Sequence, residues 1–318
     1  MLAELRDRRA LRAILGRGAR VVSRRELQRR RNRRSVAVEL EDGSSFVVKY
    51  DWRAQRVALE TSRLAAANFL EGIDTPRLRG STRHFLVQDF VPGEGLDALA
   101  KRAEGEARVA LFLRAARLLA AIHGSRHAAL AALKLSEPCA PERVDARVRR
   151  AWREIEAHGF AHWEARQGSV PAAWRRVLGE ERIARLVSDL GATGDGCVLG
   201  HGDYQPRHLL RSPDDRLFVV DWNAMSLVTP WIELAHLLRW LAPGARDAIT
   251  AAYLEAVQRR GLLRGVSAAR SASLAASGLL YDHLIVAKQM VRKLGGECRP
   301  AHLRTFRASL DALAETAG

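Results

Sequence analysis

The sequence is poor in lysine. Of 52 basic residues only five are lysines (Lys49, Lys101, Lys134, Lys288 and Lys293), and the rest are arginine. Three cysteines, Cys139, Cys197 and Cys298, are too few and too scattered for a disulfide framework or a zinc site, which points to a thiol-reducing compartment. No apolar run reaches the roughly 18–20 residues of a membrane span. The N-terminus, Met1-Leu2-Ala3-Glu4-Leu5-Arg6-Asp7-Arg8-Arg9, carries too much charge for a secretory signal. A cytoplasmic protein with no transmembrane segment is expected. Internal repeats and low-complexity linkers are also missing, and so is a G-x-G-x-x-G phosphate loop.

What is present suffices for a folded protein. The 318 residues are 47% hydrophobic and 28% charged, so they can form one large domain or two lobes sharing a cleft. The net charge of +16 would suit nucleic acid, an anionic membrane or a phosphate-bearing ligand. Its arginine-and-alanine character fits a GC-rich coding sequence equally well and leaves a solvated basic surface as the plainer reading. In such a chain, a lysine placed in an apolar strand stands out. Lys49 ends the run Phe46-Val47-Val48-Lys49.

The periodicity gives an ordered set of elements. Leu2, Leu5, Leu11, Ile14 and Leu15 make residues 2–15 a basic amphipathic helix, one that either caps a small lobe or offers a peripheral membrane contact. Strands are expected over 20–26, 35–40 and 45–50, with an Asp42-Gly43 hairpin turn, then a helix over 54–70 and a strand over 84–91. From residue 93 onward the pattern is helical over 106–123, 141–158, 172–190, 230–241, 245–260, 268–294 and 300–317. A short hairpin near 198–220 interrupts it. The expected class is α+β, with a β-rich lobe over residues 1–92 and a larger helical lobe over residues 93–318.

The residues with the clearest chemistry lie in that hairpin. His201-Gly202-Asp203-Tyr204-Gln205-Pro206-Arg207-His208-Leu209-Leu210 is followed by Val219-Val220-Asp221-Trp222. Asp203 and Asp221 each stand at the edge of an apolar strand with one hairpin between them, so one carboxylate can accept a hydroxyl proton while the other holds a charge-neutralising metal. The sequence here resembles the aminoglycoside phosphotransferase and choline kinase-like family, whose loop reads H-G-D-x-x-x-x-N and whose metal motif reads I-D-W or similar.

That resemblance implies a protein-kinase-like fold and transfer of the ATP γ-phosphate to a hydroxyl group of a small molecule such as an antibiotic, a sugar or an amino alcohol. Asp203 would be the catalytic base and Asp221 a Mg²⁺ ligand. Lys49 would bind the α/β-phosphates with Glu60 as its ion-pair partner. Backbone groups of Asp89 and Val91, in Val87-Gln88-Asp89-Phe90-Val91-Pro92-Gly93, would meet adenine. Asn32, in the arginine-rich turn at 28–34, would stand in the phosphate-covering loop, where the family often uses Ser or Asn. Those arginines are read either as phosphate ligands or as a solvated hairpin tip. Without interleaved aromatics they predict no specific nucleic-acid partner.

Two departures from the pattern matter. His208 replaces the family's second metal-binding asparagine. It would bind Mg²⁺ weakly, recruit another metal, hydrogen-bond a phosphate, or mark a chain that has lost activity. Heptose kinases of the lipopolysaccharide core also carry histidine there. Glu233, in Pro230-Trp231-Ile232-Glu233-Leu234-Ala235, replaces an aspartate that braces the catalytic loop. Competing readings are a silent nucleotide-binding pseudokinase, an envelope glycolipid kinase and, more remotely, a metallohydrolase built on His201, Asp203, His208 and Asp221. Acidic residues at Glu154, Glu156, Glu164, Asp189, Asp195 and Asp282 are scattered among arginines, so a neutral or anionic acceptor is as well supported as a cationic one.

Overall fold

Alternation along residues 33–40 sets the first sheet. Val36, Val38 and Leu40 turn to one face and pack with Phe46, Val48, Val87 and Leu11. The computed structural model describes residues 9, 11–16, 18–30, 33–125, 133, 135, 140–192, 196–296 and 298–315. In chain order the strands are β1 (Val21–Arg30), β2 (Arg33–Leu40), β3 (Ser45–Asp51), β4 (Leu78–Ser81), β5 (Phe85–Asp89), β6 (Glu94–Gly95), β7 (Val198–Gly200), β8 (Leu209–Arg211), β9 (Leu217–Val219) and β10 (Ser226–Val228). The principal helices are α1 (Ala54–Ala67), α2 (Leu96–Arg102), α3 (Gly105–His123), α4 (Pro141–Glu154), α5 (Phe160–Gln167), α6 (Ala172–Arg175), α7 (Glu180–Leu190), α8 (Pro230–Leu238), α9 (Pro243–Arg259), α10 (Ala268–Leu294) and α11 (Pro300–Glu315).

The chain divides into two compact units. The first comprises Met1–Gly105, Ser125–Lys134 and Gln205–Met225. Its main sheet is antiparallel, in the order β1-β2-β3-β5-β4. Because side chains alternate across a strand, Phe46 and Val48 belong to the core face and Lys49 to the other. On α1, residues Val57, Glu60, Leu64 and Ala67 form one buried stripe at helical spacing. Glu60 is the charged member of that stripe. The described part of the first helix places Leu11 in the sheet core and packs Ile14 and Leu15 against it, so these apolar side chains are engaged by the sheet. Gly80, at φ +158°, lets the chain pass that helix, since a Cβ there would come within 2.8 Å of Ile14.

A second, three-stranded sheet in this unit, β6-β8-β9, joins residues far apart in sequence, pairing Glu94 with Arg211 and Gly95 with Leu210. β6 runs directly into α2, with Gly95 as the helix N-cap.

The second unit comprises Glu106–Gly124, Leu135–Tyr204 and Ser226–Gly318. The 27-residue α10 is its axis and buries residues along most of its length. Gly278 permits close packing on α8, because a Cβ there would lie 2.4 Å from the Trp231 carbonyl oxygen. An aromatic cluster of Trp163, Trp174 and Phe306 fills the far end, with ring centroids 4.9–6.3 Å apart. The small sheet of this unit pairs β7 with β10.

Two helix expectations are revised here. The segment 141–158 does not stop but passes through a π-helical stretch, Ile155–Gly159, into α5. The expected helix over 172–190 is broken into α6 and α7. Gly179 caps α7, and Glu180 and Glu181 favour its positive N-terminal end.

Candidate active site

In the first unit, strand alternation aims Lys49 at the face where α1 presents Glu60. Lys49 Nζ donates to Glu60 Oε1 at 2.7 Å and to Asp221 Oδ1 at 3.2 Å. Asp221 is brought there by the β8–β9 hairpin. The Val220 N–H donates to the His208 carbonyl, which ties the two arms of the hairpin together, and the Val219 N–H donates to the Asp74 carbonyl, which ties the second arm to the segment before β4. Asp221 itself adopts a left-handed backbone, φ 67° and ψ 52°, at the start of a 3₁₀ turn. Non-glycine residues seldom take that conformation, although Asp and Asn tolerate it best. The Asn223 side-chain amide donates to Asp221 Oδ1 at 2.8 Å, and His208 Nε2 lies 3.8 Å from Asp221 Oδ2.

Sequence reasoning did not single out Arg33. Its guanidinium donates to Glu60 Oε2 at 2.6 Å and lies 3.6 Å from Asp221 Oδ1. Two cations and two carboxylates thus alternate in one half-buried cluster. Burial pulls the Lys49 ammonium down, but Glu60 and then Asp221 outweigh it and leave its pKa raised. Burial likewise pushes the Asp221 carboxyl up, yet Lys49, Arg33 and His208 together hold it well below the usual carboxylate range. Asp221 is therefore an anion at neutral pH. The available signal for Arg33 was strand register: Ser35 pairs with Lys49 and Arg33 with Asp51, so Arg33 shares the Lys49 face.

The other expected nucleotide residues are placed as follows. The Asp89 backbone N–H donates to the Arg77 carbonyl and its carboxylate accepts from Arg79, while Val91 is buried just beyond β5. Asn32 lies outside the described residues.

Asp203 belongs to the second unit, where the loop that carries it is braced from below. Glu233 is 1% exposed and accepts two backbone N–H groups, from His201 at 3.0 Å and from Gly202. The same carboxylate meets His123 Nε2 at 3.0 Å, and His123 Nδ1 meets the Tyr253 hydroxyl at 2.6 Å. Gly200 makes room for this arrangement, since a Cβ there would come within 2.9 Å of Glu233 Oε2. The Asp203 N–H donates to His201 Nδ1 at 3.3 Å, and the Tyr204 hydroxyl donates to the Ala115 carbonyl at 2.9 Å. Burial would raise the Glu233 pKa, but the hydrogen bond and charge of His123, then His201 and His236, hold it below the ordinary value. The loop is thus fixed by an ionised carboxylate chelating consecutive N–H groups.

The donor set also bears on a metal. Among the described residues no group of three or more His, Cys, Asp or Glu side chains could hold an ion. Mg²⁺ is commonly bound by one or two carboxylates, substrate phosphates and water rather than by a protein cage. The Asp221 carboxylate suits it, and the His208 nitrogen is the weaker partner.

A family profile described as the phosphotransferase enzyme family (APH) matches residues 23–268. The chain belongs to this family. No curated protein matches the sequence. Among solved structures, this phosphotransferase-family chain is similar to the GDP complex of aminoglycoside 2'-phosphotransferase-IIIa, at 15% identity and a TM-score of 0.64 over 98% of each chain. It is similar to the choline kinase LicA of Streptococcus pneumoniae, at 16% identity and a TM-score of 0.62, over 99% of this chain and 100% of that one. It is also similar to the macrolide 2'-phosphotransferase MphH of Brachybacterium faecium, at 20% identity and a TM-score of 0.59, over 95% and 97%. At these identities the likeness shows the fold: α+β and protein-kinase-like. No helix among the described residues is long and apolar enough to cross a membrane.

Proposed function

We propose that this phosphotransferase moves the γ-phosphate of ATP onto a hydroxyl group of a small molecule. The observation that carries the reading is the contact of Lys49 with both Glu60 and Asp221. It unites a cation suited to the α/β-phosphates with a carboxylate suited to a divalent ion. Residues 1–92 would form the nucleotide side, and residues 93–318 would carry the catalytic loop and the acceptor pocket. At the nucleotide, the Asp89 N–H is already engaged in the sheet, which leaves its carbonyl oxygen and the Val91 N–H as the groups to meet adenine. Asn32 would lie over the phosphates. Arg33, beside Glu60 and Asp221, is a further phosphate ligand once nucleotide enters.

When bound, Mg²⁺ supplies neutralisation of phosphate charge, and Asp221 would hold it, with His208 as a weak second ligand. Asp203 takes the proton from the acceptor hydroxyl as that oxygen bonds to the γ-phosphorus, and the bond from phosphorus to the β–γ bridging oxygen breaks to release ADP. Glu233 orients the loop without touching the reacting atoms. Hydrolysis of ATP by the full chain, with Mg²⁺ and with Mn²⁺, tests the reading. Wild type should exceed both Asp203→Ala and Asp221→Ala, and an equal background in all three would overturn it.

A further inference from the structure

The second unit contains a cavity of about 500 Å³ beside the catalytic loop. Gly202, the residue before Asp203, lines it, and Val228, Ile232 and Ile285 give it an apolar floor. Its charged lining holds three cations and two carboxylates. Arg147, Arg150 and Lys288 reach it from α4 and α10, and its two carboxylates are Glu233 and Asp282.

Both carboxylates are already committed. Glu233 is held by the loop N–H groups and His123. Asp282 is 5% exposed and lies 3.2 Å from Arg239 Nη1 and 3.5 Å from His236 Nε2. The cations are compensated far less. Arg150 and Lys288 share one carboxylate, that of Glu154, at 3.0 and 3.6 Å. Arg147 is exposed and makes no ion pair among the described residues. Asp282 is balanced by Arg239 and Glu233 is occupied by the loop N–H groups, so three cations set against Glu154 leave the groups open to a ligand predominantly positive.

We infer that the acceptor is a hydroxyl-bearing organic anion, a carboxylate or a phosphate monoester, whose anionic group pairs with Arg147 and Arg150 while its body lies on the apolar floor. A polyamine acceptor would have to desolvate its ammonium groups beside these cations with no free carboxylate to receive them. Arginine is also the side chain whose planar fork matches carboxylate and phosphate. The inference rests on the phosphotransfer reading only in naming the occupant an acceptor.

The test is ligand-induced thermal stabilisation of the full chain by a library of hydroxy carboxylates, sugar phosphates, neutral sugars and amino sugars. The expected result is that hydroxyl-bearing anions raise Tm by about 2 °C or more, as specific binding to the native state must. The shift should be lost in the Arg147→Glu/Arg150→Glu double variant. The Arg147→Ala single variant, at an exposed position without an ion pair, guards against misfolding of the double variant and should weaken the shift on its own. Stabilisation by amino sugars instead, an anion shift that survives in the double variant, or no shift by any anion would each overturn the inference. Failure of the phosphotransfer reading would show separately, as absent ATP hydrolysis, and would leave a charge-dependent shift at the cavity intact.

Discussion

Arg33 and Lys49 grip opposite oxygens of the same carboxylate, at 2.6 Å and 2.7 Å from Glu60. Neither cation can move without leaving that anion half satisfied. If Arg33 transfers to a nucleotide phosphate, the Lys49–Glu60 pair remains as a fixed platform. Arg33→Ala is therefore expected to raise the KM for ATP by roughly tenfold, the value of one charge-assisted hydrogen bond, with kcat changed far less. Steady-state kinetics check this, and an unchanged KM would remove Arg33 from the phosphate site.

Asp221 combines a left-handed backbone with a carboxylate. Asn tolerates that backbone about as well, so Asp221→Asn removes the charge and keeps the geometry. The variant should stay folded, with stability lowered by about 1–2 kcal/mol for the lost ionic hydrogen bond from Lys49. Phosphotransfer should fall on the order of a thousandfold. Circular dichroism melts beside an activity assay separate the two effects.

His208 offers nitrogen where an oxygen ligand serves Mg²⁺ better. His208→Asn is expected to lower the Mg²⁺ concentration needed for half-maximal activity on the order of tenfold, and to reduce the advantage of Mn²⁺ over Mg²⁺. Metal titrations of wild type and variant give the comparison. An unchanged metal preference would place His208 outside the metal's reach.

Glu233 gives the catalytic loop a pH limit. Its pKa is depressed in the folded chain, so its stabilisation is complete above the unfolded glutamate value of about 4.3 and is lost as pH falls through the lower folded value. Glu233→Gln offers one acceptor oxygen to two backbone N–H groups and should cost about 3 kcal/mol at neutral pH. In that variant, stability should fall less steeply with acid over this window than in wild type, by the share that Glu233 contributes. Denaturant melts from pH 3 to 7 supply the test.

How much of this was legible in the sequence depends on the range of each interaction. Lys49 stood out because a strand of apolar residues ended in a lysine. Glu60 entered only through the family resemblance, and the buried stripe of Val57, Leu64 and Ala67 that holds it is visible only in the fold. The hairpin between His208 and Asp221 announced itself through two apolar runs and a turn. Arg33 was hidden among neighbouring arginines, and only its register opposite Asp51 separates it from them. The support of Glu233 by His123, 110 residues away, left no local pattern. Nor did the pairing of β7 with β10, because β10 is a three-residue strand packed between a turn and a helix.

The composition of the first unit has a consequence for how the protein is made. Its small sheet joins Glu94 to Arg211 and Gly95 to Leu210, so the stretch ending at Gly105 cannot complete its fold until Gln205–Met225 has left the ribosome. At ordinary synthesis rates that delay is roughly 6–24 s. During this time Lys49, Glu60 and Arg33 are present without the aspartate that balances them. The second unit receives about half of its chain within the same interval, and the intervening segment must then close as a long loop at a modest entropic cost. The first unit, although most of it is encoded first, is assembled late.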